Sequence, residues 1–246
     1  MRINIRGIKC IVFSVIALSI ASCTDKSISE TKPLLDTTNK LGYFGEFEEE
    51  MVHNSDGTTR IDTIYYPIPK FSFINQDGQE VTQRIADGKI VVSEFFFTHC
   101  KSICPVISSQ MARLQALVEK EGLSDRVLFL SHSVDPLQDR PDTLKKYAEN
   151  LGANLKNWQF LTVDTAHFDA DYVYEFAQEG YYLTAFPSDT AQGGIFHTDQ
   201  LALLDKTMRI RGYYDGMSTA GVDKLFNDLK ILLYESGSGS VENVKK

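Results

Sequence analysis

Apolar residues along this chain follow two different spacings, and the alternation between these spacings predicts an α/β protein. Residues 89–97 form a short, nearly continuous apolar run rich in β-branched and aromatic side chains, which is typical of a buried strand. The segment 105–121 instead places apolar residues at steps of three and four, as one buried face of a helix requires. The residues of that face are Ile107, Met111, Leu114 and Val118. We therefore expect a strand that leads directly into a helix.

The same alternation continues through most of the chain and indicates the order of the elements. We predict strand 126–134, helix 141–151, strand 158–163, helix 166–177, a hairpin of 201–204 with 209–214, and a last helix over 219–234. Turn residues beside alternating segments predict two small hairpins nearer the N-terminus, one including 60–66 and one including 71–74. This succession is typical of a thioredoxin-like α/β fold, a central mixed sheet flanked by helices, here with an added N-terminal hairpin.

The first residues have the composition of an export signal. Arg2, Arg6 and Lys9 precede a short apolar run that ends in small residues and Cys23. This ending resembles a bacterial lipobox, in which the cysteine is lipidated and becomes the first residue of the mature protein. An ordinary cleaved signal and an uncleaved anchor are the alternatives. We expect an exported protein, lipid-anchored to a bacterial membrane and facing the periplasm or the cell exterior.

Composition divides the chain into four parts. Residues 1–22 are the expected lipoprotein signal peptide, and residues 23–40 are polar enough to form a flexible tether. Residues 41–235 are sufficient for one domain with a full core, which is the expected thioredoxin-like domain. Residues 236–246 begin with alternating serine and glycine and are expected to form a flexible tail.

The charge of the chain disfavours one class of partner and leaves another open. Acidic residues outnumber basic residues, 33 to 25, for a formal net charge of -8. No basic stripe is present that would attract nucleic acid. The acidic run 46–50 is expected to be a solvated face. An acidic surface suits a basic partner, although charge alone does not establish one.

Cys100 and Cys104 lie at the predicted join between strand and helix. Residues four apart on a helical turn face each other, so the two sulfurs can meet. The helix N-terminus favours the thiolate, which is the form that attacks disulfides or binds metals. A purely structural disulfide is a weaker interpretation, because closing so small a loop removes little entropy from the unfolded chain. The pair predicts redox chemistry, soft-metal binding or both.

Two thiolates suit Cu(I), and an added imidazole makes a site that also holds Cu(II), so the five histidines are candidate third ligands. His197 is favoured because it follows Gly193 and Gly194 and precedes the closing hairpin. In a thioredoxin-like fold that loop lies beside the cysteines, and its glycines allow close approach. Of the others, His53 is in the early hairpin, His132 is expected in the core, His167 at an exposed helix start, and His99 beside Cys100 but pointing away.

The residues around the cysteines resemble the signature of the Sco/SenC family, which consists of thioredoxin-fold, membrane-anchored copper proteins of cytochrome c oxidase assembly. The match begins at Phe97-Thr98-His99-Cys100 and Cys104-Pro105. It continues in the family's order through 133–136, Asp139, 144–148, 158–162, His197, 203–205 and 209–216. The resemblance spans residues 70–234, whereas the stretch 178–194 looks individual to this chain.

The resemblance implies that Cys100, Cys104 and His197 bind one copper ion. It also implies that Asp135 supports the site, by shaping its loop or aiding contact with a partner; a simple turn at Asp135-Pro136 is the alternative. The implied function is a copper metallochaperone that passes its ion to the binuclear copper centre of cytochrome c oxidase subunit II. Other copper chaperones are further expected partners.

A thiol–disulfide oxidoreductase that reduces the cysteines of that acceptor is the main alternative. Cys100 would attack and Cys104 would resolve the mixed disulfide. Two features count against this as the sole role: three residues rather than two separate the cysteines, and His197 stands where redox thioredoxins carry a cis-proline. A peroxidase is disfavoured, because no threonine and arginine assemble around one cysteine. A copper sensor in signalling stays open.

Overall fold

The computed structural model describes residues 40–191 and 193–235. The predicted signal peptide, the lipidation of Cys23, the tail 236–246 and all of the tether except Lys40 lie outside these residues. None of the helices in the described part combines the length and the apolar character needed to cross a bilayer.

Strands and helices alternate through most of the described chain. In chain order the strands are β1 (Phe47–His53), β2 (Thr59–Tyr65), β3 (Ser72–Asn75), β4 (Glu80–Thr82), β5 (Ile90–Phe96), β6 (Val127–Ser133), β7 (Trp158–Thr162), β8 (Ala185–Pro187), β9 (Ile195–His197), β10 (Gln200–Leu204) and β11 (Ile210–Asp215). The α-helices are α1 (Cys104–Lys120), α2 (Pro141–Leu151), α3 (Tyr172–Glu175) and α4 (Thr219–Glu235). Short 3-10 and π segments occupy Gln83–Ala86 and Phe176–Gly180.

A seven-stranded mixed sheet in the order β11-β10-β5-β6-β7-β3-β4 forms the centre of the fold. The three middle strands, β5, β6 and β7, are parallel and buried along their whole length, and antiparallel strands flank them. Strands covered on both faces appear in sequence as continuous apolar runs, which is why the pattern located these three. The predicted fold class, a mixed sheet flanked by helices, is confirmed.

The ends of α1 and α2 follow from local sequence. The predicted apolar face of α1 is buried, together with Cys104 at its first position. Pro105 lies in the first turn of α1 and Pro141 in that of α2, where a missing N–H costs nothing. Gly152 ends α2 in the left-handed conformation, with φ of 67°. α1 packs against α2 and α4, so its N-terminus is held firmly at the edge of the core.

The predicted helix over 166–177 is correct only in its second half, and its first half is wrong. The chain after β7 instead forms turns that are closed by Asp164, whose carboxylate accepts the N–H of Ala166 and lies 2.7 Å from Nδ1 of His167. A short acidic side chain that bonds to nearby backbone offers an alternative to helix. Helical structure is therefore confined to the short α3 and the π segment after it. His167 is exposed, as expected, but it does not start a helix.

The predicted N-terminal hairpin is present as a separate two-stranded ribbon. β1 and β2 pair antiparallel, with Phe47 opposite Tyr65 and His53 opposite Thr59. The Asp56 carboxylate accepts both the N–H and the hydroxyl of Thr58 and closes the turn. Both strands are largely exposed, including the glutamates of β1, as expected for a solvated acidic run.

Candidate metal centre

The two cysteines lie at the junction of β5 and α1. After β5, the N–H of Cys100 donates to the carbonyl of Phe97 at 3.3 Å and closes a tight turn. Cys104 is the first residue of α1. Both cysteines are free thiols and both are buried, with exposed fractions of 6% and 1%. The predicted strand-to-helix junction therefore carries two thiols on the inner side of one loop.

His197 reaches this loop on a small antiparallel ribbon formed by β8 and β9, rather than on an irregular loop. It pairs with Ala185 in that ribbon. At the turn of the ribbon, Gly193 has φ of +87°, and a Cβ added there would lie 2.8 Å from the Phe97 ring. That ring in turn meets the imidazole of His197 edge-on, with centroids 5.5 Å apart. Glycine is thus needed where the ribbon closes on the cysteine loop.

The three side chains that the sequence singled out come together. Nε2 of His197 lies 3.0 Å from Sγ of Cys104, and the ligand atoms of Cys100, Cys104 and His197 all lie within 4.8 Å of one another. Within residues 40–191 and 193–235 this is the one cluster of three potential metal ligands. Two sulfurs and an imidazole nitrogen form a buried donor set whose chemistry fits copper.

The orientation of the His197 ring is fixed by the backbone. Its Nδ1 lies 2.9 Å from the carbonyl oxygen of Thr198, so Nδ1 carries the proton and donates it to that acceptor. Burial is the main cause that lowers the pKa of His197, against smaller opposing effects of Thr198 and Asp199. The ring is therefore neutral, and Nε2 presents a lone pair toward Cys104. The sequence left the choice between the two nitrogens open.

The two thiols differ in acidity. Burial by itself would raise the pKa of Cys100, but hydrogen bonds from Ser102 and Cys104 outweigh it and hold that pKa below its ordinary value. The hydroxyl of Ser102 lies 3.4 Å from Sγ of Cys100. For Cys104, burial raises the pKa far above the ordinary range, and the charges of Cys100 and Glu94 add to this. Cys100 is therefore the first thiolate to form.

Asp139 anchors the start of the cysteine loop, a role that the residue pattern did not indicate. Its buried carboxylate accepts the N–H and the hydroxyl of Thr98, at 3.0 and 2.5 Å, and the hydroxyl of Ser133 at 2.6 Å. Thr98 follows β5 and Ser133 ends β6, so this carboxylate ties two neighbouring strand ends together. The signal for Asp139 in the sequence was its place in the family resemblance.

Asp135 lies near the cysteine loop and contacts His99. Oδ2 of Asp135 is 3.5 Å from Nε2 of His99, and the His99 ring packs edge-on against Phe97. The backbone carbonyl of Asp135 also accepts the N–H of Asp139, closing the turn that the sequence suggested. Asp135 therefore forms the turn with its backbone and contacts the cysteine loop with its side chain, so a turn and a role in shaping the loop are compatible.

The remaining histidines lie outside the cluster. His132 is fully buried among aromatic rings, and burial lowers its pKa to about 3, so it is a neutral core residue. His53 bonds to Thr59 in the N-terminal hairpin, and His167 bonds to Asp164 on the surface. None of these three shares a ligand cluster with the cysteines in the described structure.

The protein combines a thioredoxin-like fold with two cysteines at a strand-to-helix junction and a histidine opposite them. It therefore belongs to the class of thioredoxin-like proteins whose site offers two thiols and an imidazole as metal ligands. The family model described as SCO1/SenC matches residues 66–233. The chain therefore belongs to the SCO1/SenC family. The "SCO1 protein homolog" of Bacillus subtilis is 29% identical over 169 residues, which cover 69% of this chain and 84% of that protein.

Solved structures agree with this assignment. A SCO1/SenC family lipoprotein from Bacillus anthracis has a TM-score of 0.62 and 28% identity, over 69% of this chain and 96% of that one. BsSco, described as a cytochrome c oxidase assembly protein with a disulfide switch, has a TM-score of 0.61 and 28% identity over 71% and 96%. Copper-bound ScoI of Bradyrhizobium japonicum shares the fold, with a TM-score of 0.53 and 24% identity over 68% and 99%.

Proposed function

We propose that this protein is a membrane-anchored copper metallochaperone that delivers copper to the binuclear copper site of cytochrome c oxidase subunit II. The observation that carries the proposal is the buried cluster of Cys100, Cys104 and His197, with its ligand atoms within 4.8 Å of one another. The ion is the cargo of the protein, bound before transfer and released to the acceptor.

The donor set suits a cargo that changes oxidation state. Thiolates of Cys100 and Cys104 favour Cu(I), and the imidazole of His197 extends the site to Cu(II). Binding of the ion requires loss of both thiol protons, and it is assisted by the low pKa of Cys100. His197 needs no deprotonation, because its ring is neutral and its Nε2 carries no proton.

Three relatives support the cellular role. BsSco is described as a member of a family of cytochrome c oxidase assembly proteins, ScoI of Bradyrhizobium japonicum is copper-bound, and the Bacillus anthracis protein is a lipoprotein. Oxidase subunit II is the acceptor that the family resemblance implies, and other copper chaperones are further expected partners.

Metal analysis of the full chain tests the proposal. Reduced anaerobically and loaded with copper, the protein should bind one ion per chain. The variant Cys100→Ser/Cys104→Ser should lose tight binding, because a single imidazole makes a poor site for Cu(I). The matched variant His53→Ala/His167→Ala removes two surface histidines and should retain full stoichiometry. Stoichiometric copper in the double serine variant would show that the ligands are different ones.

The anchor has a separate test. We propose that Cys23 is lipidated after export, which places the domain on a bacterial membrane facing the periplasm or the cell exterior. Cys23→Ser should give a soluble or uncleaved form, because this position supplies the lipid attachment. Unchanged mass and unchanged membrane fractionation of the variant would contradict the lipobox.

The difference between the two thiols favours a second candidate function, thiol–disulfide exchange. The Cys100 thiolate would attack a disulfide of the acceptor and form a mixed disulfide, and Cys104 would then displace the acceptor's thiol. Two electrons pass to the acceptor, which gains two thiols, while Cys100 and Cys104 become a disulfide. Both functions use the same two sulfurs, but only copper binding uses His197 as a ligand.

A further inference from the structure

A second concave site is formed where the N-terminal ribbon meets the body of the fold. Five aromatic rings line a groove of about 640 Å³, a volume in the range of small ligand sites. We call this the aromatic groove. Its rings belong to Phe44, Phe47, Tyr66, Tyr182 and Tyr213. Four of these residues are between 42% and 54% exposed, which is high for large apolar side chains.

The walls of the aromatic groove are held in place by specific contacts. Tyr182 has φ of 53°, a strained conformation for a residue other than glycine. Its ring packs so closely on Gly45 that an added Cβ would lie 2.9 Å away. The N–H of Glu46 donates to the Tyr182 hydroxyl at 3.1 Å, and Phe44 meets Tyr213 edge-on at 5.4 Å. Strain retained at an exposed ring is typical of ligand clamps.

The aromatic groove also carries negative charge. Glu46 and Glu48 are exposed and form part of its lining. The Glu48 carboxylate accepts a hydrogen bond from Tyr66, which raises the pKa of that phenol. Between residues 44 and 66 the chain has six acidic residues and one arginine, Arg60. That arginine is already paired with Asp62 at 2.8 Å, so the ribbon leaves a net negative field at the groove.

Within residues 40–191 and 193–235, no cation covers the rings of the aromatic groove. Next to it, the ring of Tyr43 is covered by Arg209 and Arg211, at 4.6 and 4.1 Å from the centroid. Among the described residues, by contrast, no lysine or arginine stacks on the five rings of the aromatic groove. Aromatic faces beside carboxylates attract guanidinium and ammonium groups, and the described part of the chain leaves such faces uncovered by cations.

We propose that the aromatic groove is a docking site for a basic segment of a partner protein, which inserts an arginine or lysine beside an apolar side chain. Charge complementarity selects this occupant. A second copy of the chain would bring its own acidic ribbon and a net charge of -8, so like charges would oppose its docking. The proposal does not depend on the metal bound at the cysteines.

The position of the groove places such a partner beside the metal centre's ribbon. Two residues separate Tyr182 from β8, and the carbonyl of Thr184 accepts the N–H of Thr198, directly after His197. A partner held at Tyr182 is thus anchored to the same segment that positions His197.

Binding of a defined peptide tests the proposal. The full chain in mild detergent is titrated into a fluorescein-labelled hexapeptide of alternating arginine and tryptophan, and anisotropy is recorded at low and high salt. The matched peptide has citrulline in place of arginine, which removes the charge and keeps the shape. We expect one peptide per chain, affinity that falls with salt, and binding of the citrulline peptide that is weaker by about tenfold or more.

Two groove variants and two matched controls locate the site. Glu46→Gln/Glu48→Gln and Tyr182→Ala should each weaken binding of the arginine peptide by about tenfold. Glu119→Gln/Asp125→Asn removes the same charge elsewhere, and Phe168→Ala removes another exposed ring; both should bind as the unaltered chain does. If Tyr182→Ala fails to fold, the peptide affinity of Glu46→Gln/Glu48→Gln alone tests whether the peptide binds in the aromatic groove.

Three results would overturn the proposal. Equal binding of the citrulline peptide would mean that the groove is merely apolar. An equal loss of peptide affinity in the control Glu119→Gln/Asp125→Asn would mean that the peptide responds to the overall charge of the chain. A chain that is dimeric by light scattering, and becomes monomeric on Tyr182→Ala, would mean that a second copy occupies the groove.

Discussion

Nε2 of His197 lies 3.0 Å from Sγ of Cys104, although the two residues are 93 positions apart along the chain. The contact joins two elements that are built independently, the junction of β5 and α1 and the ribbon of β8 and β9. Because Nδ1 of His197 is occupied by the Thr198 carbonyl at 2.9 Å, only Nε2 is available to a metal.

His197→Ala should strongly weaken Cu(II) binding while leaving the dithiol intact. The metal site loses a ligand in this variant. Removing a residue that only hydrogen-bonds to a metal ligand typically lowers metal affinity by about 10–100-fold, so loss of the ligand itself should lower the affinity for Cu(II) by more than about 100-fold. Cu(I), which depends more on the thiolates, should be affected less. Competitive titration of both ions measures this, and His167→Ala is the matched control.

The same variant separates the two candidate functions. Cys100 and Cys104 should still form a disulfide, with reductase activity reduced modestly at most. Oxidase assembly should fail if copper delivery is the role. Full assembly with His197→Ala, together with failure of either cysteine variant, would instead favour the oxidoreductase.

Gly193→Ala should disturb the metal centre more than Gly194→Ala. Both glycines have positive φ, of +87° and +82°, so both substitutions strain the backbone by about 1–2 kcal/mol. At Gly193 the new Cβ also meets the Phe97 ring at 2.8 Å, whereas nothing lies within 4 Å at Gly194. Overpacking adds about 1–3 kcal/mol. Urea unfolding and copper affinity measure the difference, and equal effects would mean that the Phe97 contact is unimportant.

Cys100 should be alkylated before Cys104 in the reduced protein. Its pKa is below the ordinary value and that of Cys104 is well above it, so Cys100 loses its proton first as pH rises. Iodoacetamide labelling followed by peptide mass spectrometry measures the order. In urea the two thiols should react at similar rates, which controls for sequence effects. Preferential labelling of Cys104 in the folded protein would reverse the proposed attacking and resolving roles.

Glu94→Gln should remove a pH dependence of stability. Burial raises the pKa of Glu94 from 4.5 to about 7, despite a hydrogen bond from Ser131 at 2.6 Å. The folded protein holds this proton more tightly than the unfolded chain, so the stabilising contribution is present below about pH 4.5 and is lost as pH rises through 7. The loss for this one group is on the order of 3 kcal/mol.

The measurement compares urea midpoints at pH 5 and pH 8. We expect the decrease in urea midpoint from pH 5 to pH 8 to be smaller in Glu94→Gln, and the variant to be more stable than the unaltered chain at pH 8. Glu80→Gln alters an exposed carboxyl and should leave the fall unchanged. An unchanged fall in Glu94→Gln would place the titrating group elsewhere, for instance at Asp139, whose pKa burial also raises.

Local sequence located most elements, and the failures have physical causes. Buried strands such as β5 have a continuous apolar pattern, and α2 lies between a proline and a left-handed glycine, so both were predicted closely. The first half of the predicted helix over 166–177 is absent because the Asp164 carboxylate bonds to the backbone of Ala166 and the side chain of His167. Such competition depends on one side chain's geometry, which periodicity does not express.

What the sequence determined by itself was the fold class and the identity of the clustered residues. Cys100 and Cys104 are four apart at a strand-to-helix junction, so the sequence predicts that they are neighbours, although Cys100 lies in the turn before α1 rather than on the helix. His197 is favoured by its place after two glycines and before the last hairpin. Tertiary structure alone decided which imidazole nitrogen faces the sulfurs, which thiol is the more acidic, and that Asp139 holds the loop. It also assembled the aromatic groove from residues as distant as Phe44 and Tyr213. Hydrogen-bond direction, burial and long-range contact arise only when distant segments pack together, and no spacing along the chain encodes them.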